Sequence, residues 1–198
     1  MRYAKDHKEQ ARAAILAAAA RPLKEKGFHG VGVDALAAAA EVTSGAIYSH
    51  FGSKEGFLEQ VIREYTSPEF EALRDGDVRE RRRRLVALMY SYLSEEHCEG
   101  VSDGCVLSAL TADVARASDS VRQVYQLQIS KMVALVVPAM PGDEEERRRR
   151  AWALVASIIG AVSVARALPA GVHRDAVLQA TLRSIEESIE APVVPPGS

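Results

Sequence analysis

No stretch of this 198-residue chain alternates apolar and polar residues over the length of a strand with Val, Ile and Thr prominent. Alanine is abundant instead, and aromatic residues make up only 6% of the chain. Alanine is the strongest helix former, and alternation is the main signature of a half-buried strand. The sequence therefore predicts an all-α protein, and a hydrophobic content of 47% is enough for a packed core.

The N-terminus has no charged segment followed by an apolar one, so we expect no secretory signal and a cytoplasmic protein. Cys98 and Cys105 are then expected to be reduced thiols. The uncharged stretch from Ala151 to Ala165 is 15 residues long, shorter than the roughly 20 residues that cross a bilayer. It predicts a buried helix and no membrane partner.

The pattern between positions 33 and 52 is typical of a helix-turn-helix. Small or apolar residues recur where two short helices crossing at a tight turn need their contacts, at Leu36, Ala37, Ala40, Val42 and Ile47. The second helix is predicted to begin at Thr43, and its first turn continues with Ser44 and Gly45. These small residues allow a helix start to approach DNA closely, and their hydroxyls and amides can bond phosphates or base edges.

The run "EKGFHGVGVDALAAAAEVTSGAIYSHFGSKEGFL" resembles the TetR family of transcriptional regulators, within a likeness that extends from about residue 13 to 65. The resemblance implies that Thr43, Ser44 and Gly45 contact the major groove. It also implies that Tyr48, His50 and Lys54 hold phosphates, and a phenol, an imidazole and an ammonium are all suitable donors. Taken alone, Tyr48 and Phe51 also fit core aromatic residues, the better interpretation for Phe51.

The sequence departs from the family pattern at two positions. The family usually has a hydroxyl residue at the start of the second helix, where this chain has Val33. The turn usually carries glycine, where this chain has Glu41. If that position needs a positive φ, a strain of about 1 kcal/mol or more is expected there.

The same resemblance divides the chain into a DNA-binding domain at 1–52, a helical ligand-binding and dimerisation domain at 53–190, and a frayed tail at 191–198. Two long helices, about 144–168 and 175–190, are expected to pair with the same helices of a second subunit. The homodimer would then bind a palindromic double-stranded operator with half-sites about 34 Å apart, or a multiple of it. The residues predicted for the dimer interface are Ser157, Gly160, Ala161, Leu178, Leu182, Ile185 and Ile189.

A small-molecule effector, apolar or aromatic, is expected to bind in the second domain and release a repressor from its operator. Large apolar or half-polar side chains at inward-looking helix positions are the candidates for its pocket, although ordinary core packing explains each of them equally well. These candidates are Met89, Tyr92, Cys105, Tyr125, Met132 and Trp152.

Two alternatives to an effector-released repressor remain open. The run "GCVLSALTADVAR" resembles that of a subset of the family, some of which sense electrophiles or oxidants through the cysteine, and a helix N-terminus at Cys105 would stabilise its thiolate. The other is an enzyme using Cys98 or Cys105 as nucleophile with His97, His173 or Asp103 assisting. Neither a phosphate loop nor a nucleophile elbow supports catalysis, no cofactor is predicted, and His97, Cys98 and Cys105 are too few and wrongly spaced for a metal site.

Overall fold

The computed structural model describes residues 2–65 and 67–190, and the predicted tail at 191–198 lies outside them. Every regular element within the described residues is helical, as predicted. In chain order the helices are α1 (Arg2–Gly30), α2 (Val33–Ala39), α3 (Ser44–Phe51), α4 (Lys54–Arg63), α5 (Pro68–Glu71), α6 (Val78–Tyr92), α7 (Glu95–Glu99), α8 (Val106–Val114), α9 (Asp119–Val136), a 3₁₀ turn (Val137–Ala139), α10 (Glu144–Ala167) and α11 (Val172–Glu190).

Side-chain caps fix several of these helix starts. The Thr43 hydroxyl accepts a hydrogen bond from the Ala46 amide at 3.2 Å. Ser53 caps α4 through the Gly56 amide, and Asp143 caps α10 through the Glu146 amide, each at 2.9 Å. The predicted starts of α3, α4 and α10 are confirmed, because a short polar side chain satisfies amides that the first helical turn leaves unpaired.

In the sequence, Asp6 with Glu9 and the later Gly27 predict a first helix at about 7–26, and the observed helix is longer. It begins at Arg2, and its helical backbone is interrupted at Gly27, where φ is 71° and ψ is 170°. Glycine adopts this conformation at little cost because it has no Cβ. The break redirects the chain into the last turn of α1, just before α2.

The described residues fall into two compact units that do not follow the predicted boundary at residue 52. The first unit contains the chain up to Tyr65 together with Val101–Gln128, and the second contains the stretch ending at Gly100 and the residues from Ile129 onward. Helix α4 and the segment Val101–Gln128 thus pack with the N-terminal helices, although the sequence places both in the predicted second domain at 53–190. The functional boundary at 52 stays a prediction.

In the first unit, α1 packs against α2, α4 and α8, and α3 packs between α2 and α4. The rings of Phe51 and Phe57 meet edge to face, with centroids 5.0 Å apart. Apolar residues from each of these helices are buried, among them Leu23, Leu36, Ile47, Phe57, Leu58 and Ile62. Their removal from water is the main force that holds the three N-terminal helices to α4 and α8.

In the second unit, α10 packs against α7, α11 and the 3₁₀ turn, and α11 packs against α6. Among the described residues, α10 is the one helix with the length and apolar composition of a membrane span. One side of α10 is buried in this unit, from Ala151 through Ile158 to Ala165. The helical core therefore accounts for the apolar residues on the buried side of α10.

Candidate DNA-binding site

The predicted helix-turn-helix is formed by α2 and α3. Leu36 and Ile47 are fully buried where the two helices meet, and Ala37 is almost so. The turn between them closes through a hydrogen bond from the Val42 amide to the Ala37 carbonyl at 3.0 Å. Glu41 lies in this turn with φ at 55°, the left-handed conformation expected for a position where the family has glycine. The fold accepts that strain in an otherwise well-packed motif.

The first turn of α3 presents small groups on its exposed side. Thr43 is exposed, with its oxygen engaged as the N-cap. The Ser44 hydroxyl donates to Asp34 of α2 at 2.5 Å. Gly45 is exposed as well, and a methyl group there would meet only the Thr43 hydroxyl oxygen, at 3.7 Å. The fold therefore places no demand for glycine at position 45.

Tyr48 and Lys54, both predicted phosphate ligands, lie outside the core. Tyr48 is 51% exposed, whereas Phe51 is buried, so the core interpretation applies to Phe51 and not to Tyr48. The Lys54 ammonium lies 4.4 Å from the centroid of the Phe28 ring. A cation over an aromatic face is attracted by the ring quadrupole, which limits the directions that the lysine explores.

His50 differs from the other predicted phosphate ligands. Its Nδ1 atom is buried and has no hydrogen-bond partner within the described part of the chain. A phosphate contact from His50 would therefore have to come from Nε2. Val33, which stands where the family usually has a hydroxyl residue, is the first residue of α2. The helix begins there after Gly32 without a side-chain cap.

The sequence model of "Bacterial regulatory proteins, tetR family" matches residues 15–61, which contain this helix-turn-helix. Residues 15–61 therefore form the DNA-binding domain of a TetR-family transcriptional regulator. The HTH-type transcriptional repressor NemR of Escherichia coli K12 is 29% identical over 136 residues, 66% of this chain and 67% of the repressor. The HTH-type transcriptional repressor DhaR of Mycobacterium sp. GP1 is 34% identical over 104 residues, 50% and 49% of the two chains.

Solved structures of TetR-family regulators share the fold. The reduced form of E. coli NemR aligns with a TM-score of 0.74 at 24% identity, covering 93% of this chain and all of that one. The transcriptional regulator FadR of Bacillus subtilis, solved in complex with stearoyl-CoA, aligns with a TM-score of 0.65 at 16% identity, covering 91% and 98%. The family match over residues 15–61 and the likeness to the repressors NemR and DhaR together identify this chain as a DNA-binding transcriptional regulator.

Segment Val101–Gln128 contacts the DNA-binding helices, which the sequence did not indicate. In the second half of α1, Arg21 forms an ion pair with Asp103 at 2.8 Å. At the start of α4, the Glu55 carboxylate accepts from the Ser118 amide at 2.8 Å. The Gln128 side chain donates to the Arg63 carbonyl at the end of α4. These bonds join residues far apart in sequence, and no local pattern predicts them.

The residues predicted for an effector pocket do not form one group. Cys105 and Tyr125 belong to the first unit, and Met89, Tyr92, Met132 and Trp152 belong to the second. Met89, Tyr92, Cys105 and Met132 are buried. Trp152 is 43% exposed, so its predicted inward position is wrong. It follows the buried Ala151 by one residue, about 100° around the helix, which takes it away from the core.

Two cavities lie elsewhere, and none of the six predicted pocket residues lines either of them. One, of about 440 Å³, is in the second unit and is lined by Glu71, Leu73, Arg74, Lys131, Ala134, Leu135 and Pro138. The other, of about 310 Å³, is in the first unit and is lined by Arg12, Ala13, Leu16, Ala17, Ala20, Val61, Glu64, Tyr65 and Val106.

The residues predicted for the dimer interface separate into buried and exposed groups. Ala161 on α10 is buried, as are Leu178, Ile185 and Ile189 on α11. Leu182 is half-buried. The apolar face of α11 therefore serves the internal core, because α11 packs against α10 and α6 of its own chain. Ser157 and Gly160 are exposed and stay candidates for an interface.

The two cysteines lie in different settings, and within the described residues no three His, Cys, Asp or Glu side chains come together as metal ligands. Cys105 is buried directly before α8. Cys98 is buried in α7, and this burial raises the pKa of its thiol against the opposing charges of Arg166 and Arg174. Burial also raises the pKa of Tyr125, whose hydroxyl lies 2.7 Å from that of Thr111.

Proposed function

We propose that this TetR-family regulator is a homodimeric repressor in the bacterial cytoplasm that binds a palindromic operator and leaves it when a small molecule binds. The observation that carries the proposal is the first turn of α3, where Thr43, Ser44 and Gly45 present short polar groups and no long side chain. A helix start of this kind fits against the floor of the major groove. The relatives NemR and DhaR are themselves repressors, which supports the direction of regulation.

Selection of bound sequences from a random duplex library by the purified protein tests operator binding. Tyr48→Phe removes one exposed hydroxyl, and we expect a loss of roughly 10- to 150-fold in operator affinity, the range for one hydrogen bond to a charged phosphate. Lys54→Gln is expected to lower the salt slope of binding by about one. Tyr90→Phe is the matched control, because Tyr90 is 55% exposed and lies in the second unit. No enriched palindrome at low salt would refute the proposal.

The dimer is proposed to form through the exposed side of α10. Ala153, Ser157, Gly160 and Val164 are all exposed on α10 at spacings of three and four residues, which places them on one side. A side chain added at Gly160 would meet nothing within 4 Å in its own chain. Gly160→Arg is therefore expected to fold normally and to sediment as a monomer. If it sediments as a dimer, the partner subunit packs elsewhere.

The effector is proposed to be small and apolar or aromatic. The 310 Å³ cavity supports this class, since six of its nine lining residues are Ala, Val or Leu. Its size is at the lower end of small-molecule sites. Ala17 is exposed on its wall, so Ala17→Trp should fill the cavity without disturbing the core. We expect that variant to bind operator DNA and to ignore an effector that releases the wild type. Release that is unchanged would place the effector in another site.

A thiol switch at Cys105 is the second candidate. Cys105 is the residue directly before α8, at the start of that helix. It belongs to the same compact unit as α2 and α3. Gly104, its neighbour, accepts a hydrogen bond from Lys24 of α1 at 3.1 Å. A relative, NemR, has been solved in a reduced form, which supports redox or electrophile sensitivity.

The two cysteines provide a matched pair for testing this switch. N-ethylmaleimide should release the wild type and Cys98→Ser from the operator but leave Cys105→Ser bound. Release by peroxide that dithiothreitol reverses would separate a thiol switch from effector binding. If Cys105→Ser responds like the wild type, the thiol is not the sensor.

A further inference from the structure

The Thr43 hydroxyl accepts a hydrogen bond within the chain, whereas the Ser44 hydroxyl donates one. The Thr43 oxygen accepts from the Ala46 amide, so its O–H remains available as a donor. The Ser44 O–H donates to the Asp34 carboxylate at 2.5 Å, a distance typical of a charge-assisted O–H···O⁻ bond. A serine hydroxyl has one proton and two acceptor lone pairs. Ser44 therefore has only acceptor capacity left for a partner outside the chain.

Asp34 places a carboxylate beside the helix start that is to meet DNA. It is exposed in the first turn of α2. An ionised carboxylate only accepts hydrogen bonds, and it repels phosphate. Ser44 and Asp34 together thus form an acceptor pair, and a phosphate oxygen, which is itself an acceptor, cannot bind it.

The major groove offers two kinds of hydrogen-bond donor. These are the N4 amino group of cytosine and the N6 amino group of adenine, whereas guanine and thymine present acceptors at their corresponding edges. An acceptor pair formed by Asp34 of α2 and Ser44 of the recognition helix α3 is complementary to an amino-bearing base alone. The first turn of α3 contains no Arg, Asn or Gln for the usual bidentate contacts. The Asp34 carboxylate and the Ser44 hydroxyl are therefore the acceptors available there to distinguish one base from another.

We propose that Asp34 and Ser44 together determine sequence specificity by accepting a hydrogen bond from the amino group of a cytosine or adenine in each half-site. The inference rests on the proposed operator binding by α3. Thr43 acts as a donor instead, because its oxygen accepts from the Ala46 amide and its O–H can donate to a phosphate or a base acceptor. Asp34 lies on α2, so specificity extends beyond the recognition helix itself.

The test compares selected operator sequences and affinities of the full-length wild type, Ser44→Ala and Asp34→Ala, each of which removes one acceptor side chain. For the wild type, one position in each half-site should require C or A on the contacted strand. Replacing that base by 2-pyrimidinone or purine, which lack the amino group, should weaken binding at least about fivefold, the lower end of the value of a base-edge contact. Both variants should lose this preference, and neither should respond to the base analogue.

Ser49→Ala is the matched control, because Ser49 is an exposed serine on the same helix. It should keep the preference. If Ser44→Ala and Asp34→Ala retain the base requirement, or weaken binding to every duplex by the same factor, the hydrogen bond merely joins α2 to α3 and the proposal is overturned. If the wild type itself selects no sequence, the proposed operator binding is refuted, and the specificity proposal that rests on it is refuted with it. A thermal melt of each variant shows whether it is folded.

Discussion

Substitutions at two glycines in the first unit allow the effect of a side chain on operator binding to be measured separately from its effect on folding stability. Gly45 lies in the first turn of α3, and a Cβ there would make an ordinary contact of 3.7 Å with the Thr43 hydroxyl. Gly27 has φ at 71°, and a Cβ there would lie 3.1 Å from an Asp113 carboxylate oxygen. Substitution by alanine adds the same methyl group at both positions, but the physical consequences differ.

Gly45→Ala should stabilise the protein while it weakens operator binding. Alanine is favoured over glycine in a helix by roughly 0.5–1 kcal/mol. For a chain of this size that corresponds to a rise of about 1–4 °C in Tm. The added methyl group occupies the exposed side of the turn that is to face the groove. We expect operator affinity to fall about tenfold or more, equivalent to about 1.4 kcal/mol.

Gly27→Ala should have the opposite profile. With φ at 71° and ψ at 170°, Gly27 lies in a backbone region that is essentially restricted to glycine, so alanine there costs about 1–3 kcal/mol, and the contact with Asp113 adds to that cost. We expect Tm to fall by about 2–12 °C, with operator affinity per folded molecule little changed. Differential scanning calorimetry and fluorescence anisotropy with the selected operator measure the two quantities. A Gly45→Ala protein that is more stable and binds its operator as tightly as the wild type would refute the argument from close approach.

Three further predictions concern stability. Glu41→Gly should raise the free energy of unfolding by up to about 1 kcal/mol, since it relieves the positive φ at that residue; denaturant melts measure this. Burial lowers the pKa of His97, so the contribution of the neutral His97 to folding stability should be fully present above about pH 6.5 and be lost as the pH falls below it. His97→Phe keeps the ring stacking on Tyr92 and should therefore flatten the dependence of Tm on pH between pH 7 and 5. Hydrogen bonding to Arg149 lowers the pKa of Glu146 to about 2, so its contribution should be lost from about pH 4.5 towards pH 2, and Glu146→Gln should show no such loss.

Local chemistry made the helix-turn-helix predictable from sequence. The N-caps at Thr43 and Ser53 act within three residues of themselves, and the positive φ of Glu41 follows from the turn that it occupies. Such features depend on near neighbours in the chain, which the sequence displays directly. The two short helices and their turn were therefore located to within a residue or two.

Long-range packing was not predictable in the same way. The apolar periodicity of α11 shows that one face avoids water, but it does not tell whether that face meets its own chain or a partner. Ile185 and Ile189 were accordingly predicted for a dimer interface and are buried in the core of their own chain. Segment Val101–Gln128 packs with the N-terminal helices through contacts such as Glu55 with Ser118, for which no sequence motif exists.

Contacts from segment Val101–Gln128 reach both ends of the stretch that contains the helix-turn-helix. The Asp113 side chain of α8 lies beside Gly27, where α1 is kinked shortly before α2. The Ser118 amide donates to Glu55 in the first turn of α4, shortly after α3 ends. The recognition helix therefore lies, along the chain, between two points that are held by the same short segment. A shift of that segment relative to α1 changes both points together, whereas a shift of α4 alone changes one. Because α3 is buried through Ile47 and Phe51 against its neighbours, it has to follow them as a rigid element. An event on α8 is thus well placed to move the DNA-contacting turn without unfolding it.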